Sequence, residues 1–115
     1  MTIFSHLPEF ERELKRLSKK YPSLASDIED IKPVLLTSPT GIGKNFTIIK
    51  MVADIRIVKV RIHCESLRSR AIRLIYSYHA GRFEFMFIEI YFKGEKENED
   101  YGRIEEYLTR SVNSK

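Results

Sequence analysis

The chain holds one cysteine, Cys64, no tryptophan, four prolines and five glycines among its 115 residues. A lone thiol excludes an internal disulfide framework and fits a reducing, cytoplasmic setting. No apolar run approaches the roughly 20 residues needed to span a bilayer, so no membrane partner is expected. The opening, with Pro8, Glu9 and Glu11, lacks the form of a signal peptide. Repeats and low-complexity stretches are missing too, and the length suits a single domain over residues 1–115 with a core of its own. The three histidines, His6, His63 and His79, are scattered rather than set at ligand spacing, so neither metal nor cofactor is expected. His63, Cys64 and Glu65 cannot form a triad, because neighbouring strand residues point to opposite faces.

What is present is an ordinary globular balance, 43% hydrophobic and 31% charged, with an uneven spread of charge. Residues 1–43 carry six basic and six acidic side chains, 44–82 carry nine against two, and 83–115 carry five against eight. The basic middle third suits a polyanion such as RNA, while the acidic stretch from Glu95 to Glu106 reads as solvated helix surface.

Along the chain, a short strand is expected at Thr2 to Phe4 and a helix from Pro8, with proline in the first turn and Glu9 and Glu11 at the positive end of the dipole. Phe10, Leu14 and Leu17 form its apolar stripe. After Tyr21-Pro22, Ser23 is the expected N-cap of a second helix carrying Leu24, Ile28, Ile31 and Leu35, which Pro33 should kink or end early. The exposed Arg12, Lys15, Lys19 and Lys20 form a basic strip, solvated first and RNA-contacting second. Four extended runs follow: Phe46 to Met51, Ile55 to His63, Ala71 to Tyr78 and Phe83 to Phe92. Their short connections predict an antiparallel meander. Phe83, Phe85 and Phe87 are expected in the core, with Tyr91 in register and free to stack on a base. A closing helix starts near Asp100 and carries Tyr101, Ile104 and Leu108.

The sharpest functional signal is Ile55 to Ile62. In extended conformation Val58, Val60 and Ile62 share one face, while Lys59 and Arg61 share the other about 7 Å apart, close to the spacing of successive phosphates. In the next run Arg73 projects away from Ile72, Leu74 and Tyr76. Three cations on neighbouring strands make a phosphate site; a solvated outer face of the sheet is the alternative. His63 lies on the same face, suited either to an edge hydrogen bond or to acid–base chemistry.

A decoy precedes this run. Ser38-Pro-Thr-Gly-Ile-Gly-Lys44-Asn45 looks like a phosphate-binding loop, but Ser38 stands for its first glycine and Asn45 for its Mg²⁺-ligating hydroxyl. The β-branched Thr47-Ile48-Ile49 also disfavours the helix that such a loop must open. No nucleotide cofactor is expected.

The run Phe10-Glu-Arg-Glu-Leu-Lys-Arg-Leu-Ser-Lys-Lys-Tyr-Pro-Ser-Leu, the strand Val58-Lys-Val-Arg-Ile62, Ile72-Arg-Leu-Ile-Tyr76 and Ile90-Tyr-Phe-Lys-Gly-Glu-Lys-Glu-Asn98 together resemble the RelE/ParE toxins of type II toxin–antitoxin modules. The resemblance implies an α+β fold: two N-terminal helices packed on a four- to five-stranded antiparallel sheet, with a short C-terminal helix. It further implies a ribosome-dependent endoribonuclease acting on messenger RNA in the decoding site, and an antitoxin partner that covers the basic face or displaces the last helix. Cleavage in RelE-like members is metal-free, by attack of the ribose 2′-hydroxyl on the adjacent phosphate. Carried over by position, Lys59, Arg61 and Arg73 match the strand cations, Lys96 the arginine after the last strand, and Tyr101, with a one-residue shift, the C-terminal tyrosine. Arg61 and Arg73 would stabilise the phosphorane charge, and Lys59, crowded by cations, would serve as base. Arg70 stands just ahead of the Arg73 strand, where family members often carry a glycine, and offers a further cation for substrate beside Tyr91 and His63. A ParE-like gyrase inhibitor without nuclease activity, or an inactive antitoxin-binding relic, are the alternatives on the same fold.

Overall fold

A computed structural model describes residues 3–113. The elements run β1 (Phe4–His6), α1 (Pro8–Lys20), α2 (Leu24–Thr37), β2 (Phe46–Val52), β3 (Ile55–Cys64), β4 (Ser69–His79), β5 (Glu84–Phe92) and α3 (Tyr101–Asn113). The expected strand at Thr2 to Phe4 lies partly outside the described residues; the strand that forms is Phe4–His6.

α1 opens on Pro8 with Glu9 and Glu11 in its first turn and closes on Lys19 and Lys20, each at the dipole end that favours it. Ser23 precedes α2 but does not cap it with its side chain. Its hydroxyl instead donates to Asp27 at 2.7 Å and accepts from the Ser66 amide at 2.8 Å, fastening α2 to the β3–β4 turn. Pro33 does not end the helix, which continues to Thr37. Leu35 beyond it is fully buried, and that packing outweighs the single ladder bond a proline removes.

The five strands are ordered β1-β5-β4-β3-β2. The sheet is mixed rather than wholly antiparallel, because β1 pairs parallel to β5, with Phe4 opposite Phe85 and His6 opposite Phe87. Hairpin rules could not foresee this pairing: the two strands are far apart in sequence, and Phe4 stacks on Phe85 at 4.8 Å between ring centres.

Helices cover both faces. α1 and α2 seal one side over Val58, Val60, Ile62, Ile72, Leu74, Tyr76, Phe85 and Phe87. On the other side α3 lays Ile104, Tyr107 and Leu108 over Ile55, Ile57, Ile75 and Ile88. Midway along α3, the Tyr107 hydroxyl meets His79 Nε2 at 2.6 Å and accepts from Ser77 at 2.9 Å.

A bulge decides what the second face carries. Tyr76 pairs with Phe87 but Ile75 pairs with Glu89, so Ile88 is an extra residue in β5. Alternation therefore breaks, and Tyr91 lands on the face opposite Phe85 and Phe87, contrary to expectation. Phe83 also departs from its expected place in the core: it sits in the β4–β5 turn at φ 50° and is 38% exposed.

Beyond β1 the outer edge of β5 is closed by an ion pair between the two helical layers. Arg103 of α3 makes a two-pronged contact with Glu13 of α1 at 2.8 and 2.9 Å and donates to the Ile88 carbonyl at 2.9 Å, while Glu13 accepts from the Ile90 amide at 3.3 Å. Hydrogen bonding to Glu13 holds the Arg103 guanidinium above its ordinary value against the opposing effect of burial. Among the described residues no helix is long and apolar enough to cross a membrane.

Candidate functional site

α3 covers only one end of its face, and the predicted cations occupy the rest. Strand register sets them in two rows. Lys59 lies opposite Ile75, which lies opposite Glu89; one step along, Arg61 lies opposite Arg73, which lies opposite Tyr91. Like charges directly opposite on neighbouring strands repel, so the Arg61–Arg73 pair works against folding. Burial, and then the Arg61 charge, push the Arg73 guanidinium down from its ordinary value. Among the described residues its side chain makes one hydrogen bond, to the Arg70 carbonyl at 2.6 Å. Among the described residues neither Arg61 nor Arg73 has a carboxylate within ion-pair distance, although twelve such pairs form elsewhere.

Lys59 is placed differently from expectation. Its ammonium is 2.9 Å from Glu99, a carboxylate only 6% exposed, so a counter-charge neutralises it in place of the expected crowding by cations. Burial pushes the Glu99 carboxyl up, but the hydrogen bonds from Lys59 and the backbone, with the lysine charge, hold it below the usual carboxylate range. Lys96 pairs with Glu89, whose side chain is fully buried and also accepts from the Asp100 amide at 2.8 Å. The loop after β5 is thereby held to the sheet at two points. Sequence reasoning missed both carboxylates. Glu89 had one signal, an isolated acid inside the apolar run Met86 to Phe92, which marks a buried, partnered charge; Glu99 was absorbed into an acidic stretch that looked like solvated surface.

Tyr91 is buried, with its hydroxyl 3.5 Å from Glu99 and the Lys96 ammonium 5.7 Å from its ring centre. Burial, reinforced by the nearby Glu99 and Glu89 charges, raises its pKa; at 3% exposure the ring is covered and offers no platform for base stacking. Tyr101 is 62% exposed at the start of α3 and lines a groove with Glu99 and Lys50. No hydrogen bond ties its hydroxyl to the basic row among the described residues.

Arg61, His63 and Arg70 meet around a cavity of about 190 Å³ at the edge of β3, beneath Asp27 and Asp30 of α2. Arg70 donates to the Arg61 carbonyl at 3.1 Å, and His63 pairs with Glu65 at 3.1 Å. The basic strip of Arg12, Lys15, Lys19 and Lys20 on α1 is exposed, and its Lys20 shares Glu95 with the neighbouring Arg16.

The decoy loop leads into a strand. Gly41 and Gly43 take φ values of 75° and 90°, Pro39 accepts a hydrogen bond from Tyr76 at 2.8 Å, and β2 follows where a nucleotide-binding loop needs a helix. No group of His, Cys, Asp or Glu among the described residues is arranged to hold a metal ion. No protein-family model matches the chain, and no curated protein matches it in sequence.

Proposed function

We propose that this chain is a RelE-like toxin of a type II toxin–antitoxin module, cutting messenger RNA on the ribosome. The observation that carries this reading is the cross-strand pair Arg61–Arg73, two cations directly opposite on neighbouring strands with no carboxylate among the described residues paired to either, on the part of the sheet that α3 leaves open. An arrangement that costs folding free energy is explained if the pair binds an anion. With Lys59 one step away, the patch matches a sugar–phosphate backbone better than an isolated carboxylate.

The chemistry follows from the charge. Attack of a ribose 2′-oxygen on the adjacent phosphorus builds negative charge on the non-bridging oxygens, and fixed guanidinium groups stabilise that state more than the ground state. Arg61 and Arg73 fill this role. The 2′-oxygen–phosphorus bond forms as the hydroxyl proton passes to solvent, the bond to the 5′-oxygen breaks as that oxygen takes a proton from solvent, and the products are a 2′,3′-cyclic phosphate and a 5′-hydroxyl. Lys59, ion-paired with Glu99 at 2.9 Å, adds to the electrostatic field. Substrate phosphate competes with Glu99 for Lys59, and Lys96 stands at the same margin of the patch.

An acidic partner segment is the natural antitoxin for this face, since it would occupy the same cations. Inducing the chain in cells and mapping 5′ ends across translated messages tests the reading: new ends within coding regions support it. DNA breaks without message cleavage would instead indicate a gyrase-directed relative.

A further inference from the structure

β2 accompanies β3 only as far as Phe46 opposite Val60, with one more bond from the Arg61 amide to the Asn45 carbonyl at 2.9 Å. Past that point the edge of β3 is uncovered, and α2 roofs the gap. The resulting cavity, about 190 Å³, is smaller than a site for a drug-sized ligand and suits a single planar ring system. Its walls combine an aromatic ring, Phe46, with aliphatic surface from Ile31 and Ile62, and with charge of both signs.

Among the described residues three of those charges, Asp30, Arg61 and Arg70, form no ion pair. Asp27 is engaged, accepting from Ser23 and from the Glu65 amide at 3.2 Å. Asp30 is exposed and has no hydrogen-bond or ion-pair partner among the described residues. Arg70 spends one of its five donors on the Arg61 carbonyl and forms no ion pair with either aspartate, although all three line the same cavity. A carboxylate and a guanidinium that line one small cavity without pairing with each other make a recognition pattern.

We propose that this cavity is a nucleobase subsite selective for guanine, resting on the reading of the adjacent basic row as an RNA-phosphate site. Guanine alone among the bases sets two donors side by side, N1–H and the 2-amino group, for one carboxylate, and two acceptors side by side, O6 and N7, for one guanidinium. Adenine turns the N1 lone pair toward the carboxylate, and uracil flanks its single donor with two carbonyl oxygens. Asp30 accepts from the guanine donors, Arg70 donates to its acceptors, and Phe46 offers a ring beside the base. Arg61 lines the cavity and also stands opposite Arg73, so the cavity and the basic row meet along the edge of β3.

Two-dimensional NMR titration with guanosine 5′-monophosphate and adenosine 5′-monophosphate tests the subsite without any ribosome. The guanine nucleotide should shift the amides of Ile31, Ile62 and His63 and bind at least tenfold tighter than the adenine nucleotide, the scale of one bidentate base contact. Asp30→Asn, at an exposed helix position that tolerates substitution, should erase the difference. Equal binding of the two nucleotides, no binding of either, or a preference that survives Asp30→Asn would overturn the proposal. Message cleavage is scored separately. Cuts with no guanine titration leave the nuclease reading standing without this subsite, and guanine titration with no cuts leaves the subsite standing without the nuclease.

Discussion

Replacing Arg61 by threonine should make the protein more stable and less active. The Arg61 side chain is exposed, so little stem packing is lost, and threonine is at home in a strand. What disappears is the repulsion with Arg73 directly opposite on β4. Like-charged cross-strand pairs cost about 0.2–1 kcal/mol, which for a domain of this size converts to a rise of roughly 1–5 °C in Tm. Arg73 is half-buried, and relief of its neighbour's charge also removes one of the two influences that lower its pKa. The gain is electrostatic and must therefore shrink with salt, falling toward zero near 1 M, where the screening length is about 3 Å. Thermal and urea unfolding at 0.05 and 1 M salt measure both features. A variant that loses stability, or gains it equally at both salt concentrations, would refute the claim that this pair is held against folding.

Burial, with Arg82 beside it, lowers the pKa of His79 while Asp54 and Glu84 oppose, so the folded chain binds this proton less readily than the unfolded chain. Stability should therefore fall as pH drops below the ordinary value of 6.5 and level off below the lowered one, a slope that His79→Gln should flatten in pH-dependent urea titrations. Glu99, held below its ordinary 4.5, contributes stability that is present above that value and lost as pH falls through the lowered one, and Glu99→Gln should remove this acid limb from the same titration. Arg103→Ala should cost about 3 kcal/mol in chemical unfolding, because it leaves Glu13 partly buried without its partner and frees the edge of β5; a loss below about 0.5 kcal/mol would mean that the clamp is ornamental. Calorimetric titration with Mg-ATP should detect no binding, and micromolar binding abolished by Lys44→Ala would restore the nucleotide loop.

Strict alternation in β3 made the basic face legible before any fold was known: a period of two placed Val58, Val60 and Ile62 inward and Lys59 and Arg61 outward, and no irregularity intervenes until after Ile62. The same logic failed in β5, where one extra residue at Ile88 turned Tyr91 to the other face, and bulges leave little trace in a run as uniformly apolar as Met86 to Phe92. The parallel pairing of β1 was illegible because three residues cannot announce a partner some eighty positions away. Glu99 escaped notice for a tertiary reason: nothing between Glu95 and Asp100 distinguishes the one acid that folds back onto Lys59 from its solvated neighbours. The crowding of Lys59 by cations was inferred from its strand alone, and the neutralising carboxylate comes from a segment forty residues on.

Single-turnover cleavage of a defined message on programmed ribosomes bears most directly on the central claim that Arg61 and Arg73 stabilise a transferring phosphate. The parent chain should cut within the decoding site. Arg61→Ala and Arg73→Ala should each cut about a hundredfold more slowly, the scale of one lost transition-state contact, with circular dichroism showing both variants folded. If folded variants cut at the parent's rate, or the parent does not cut at all, the arginine pair is not a catalytic device and the nuclease account is wrong.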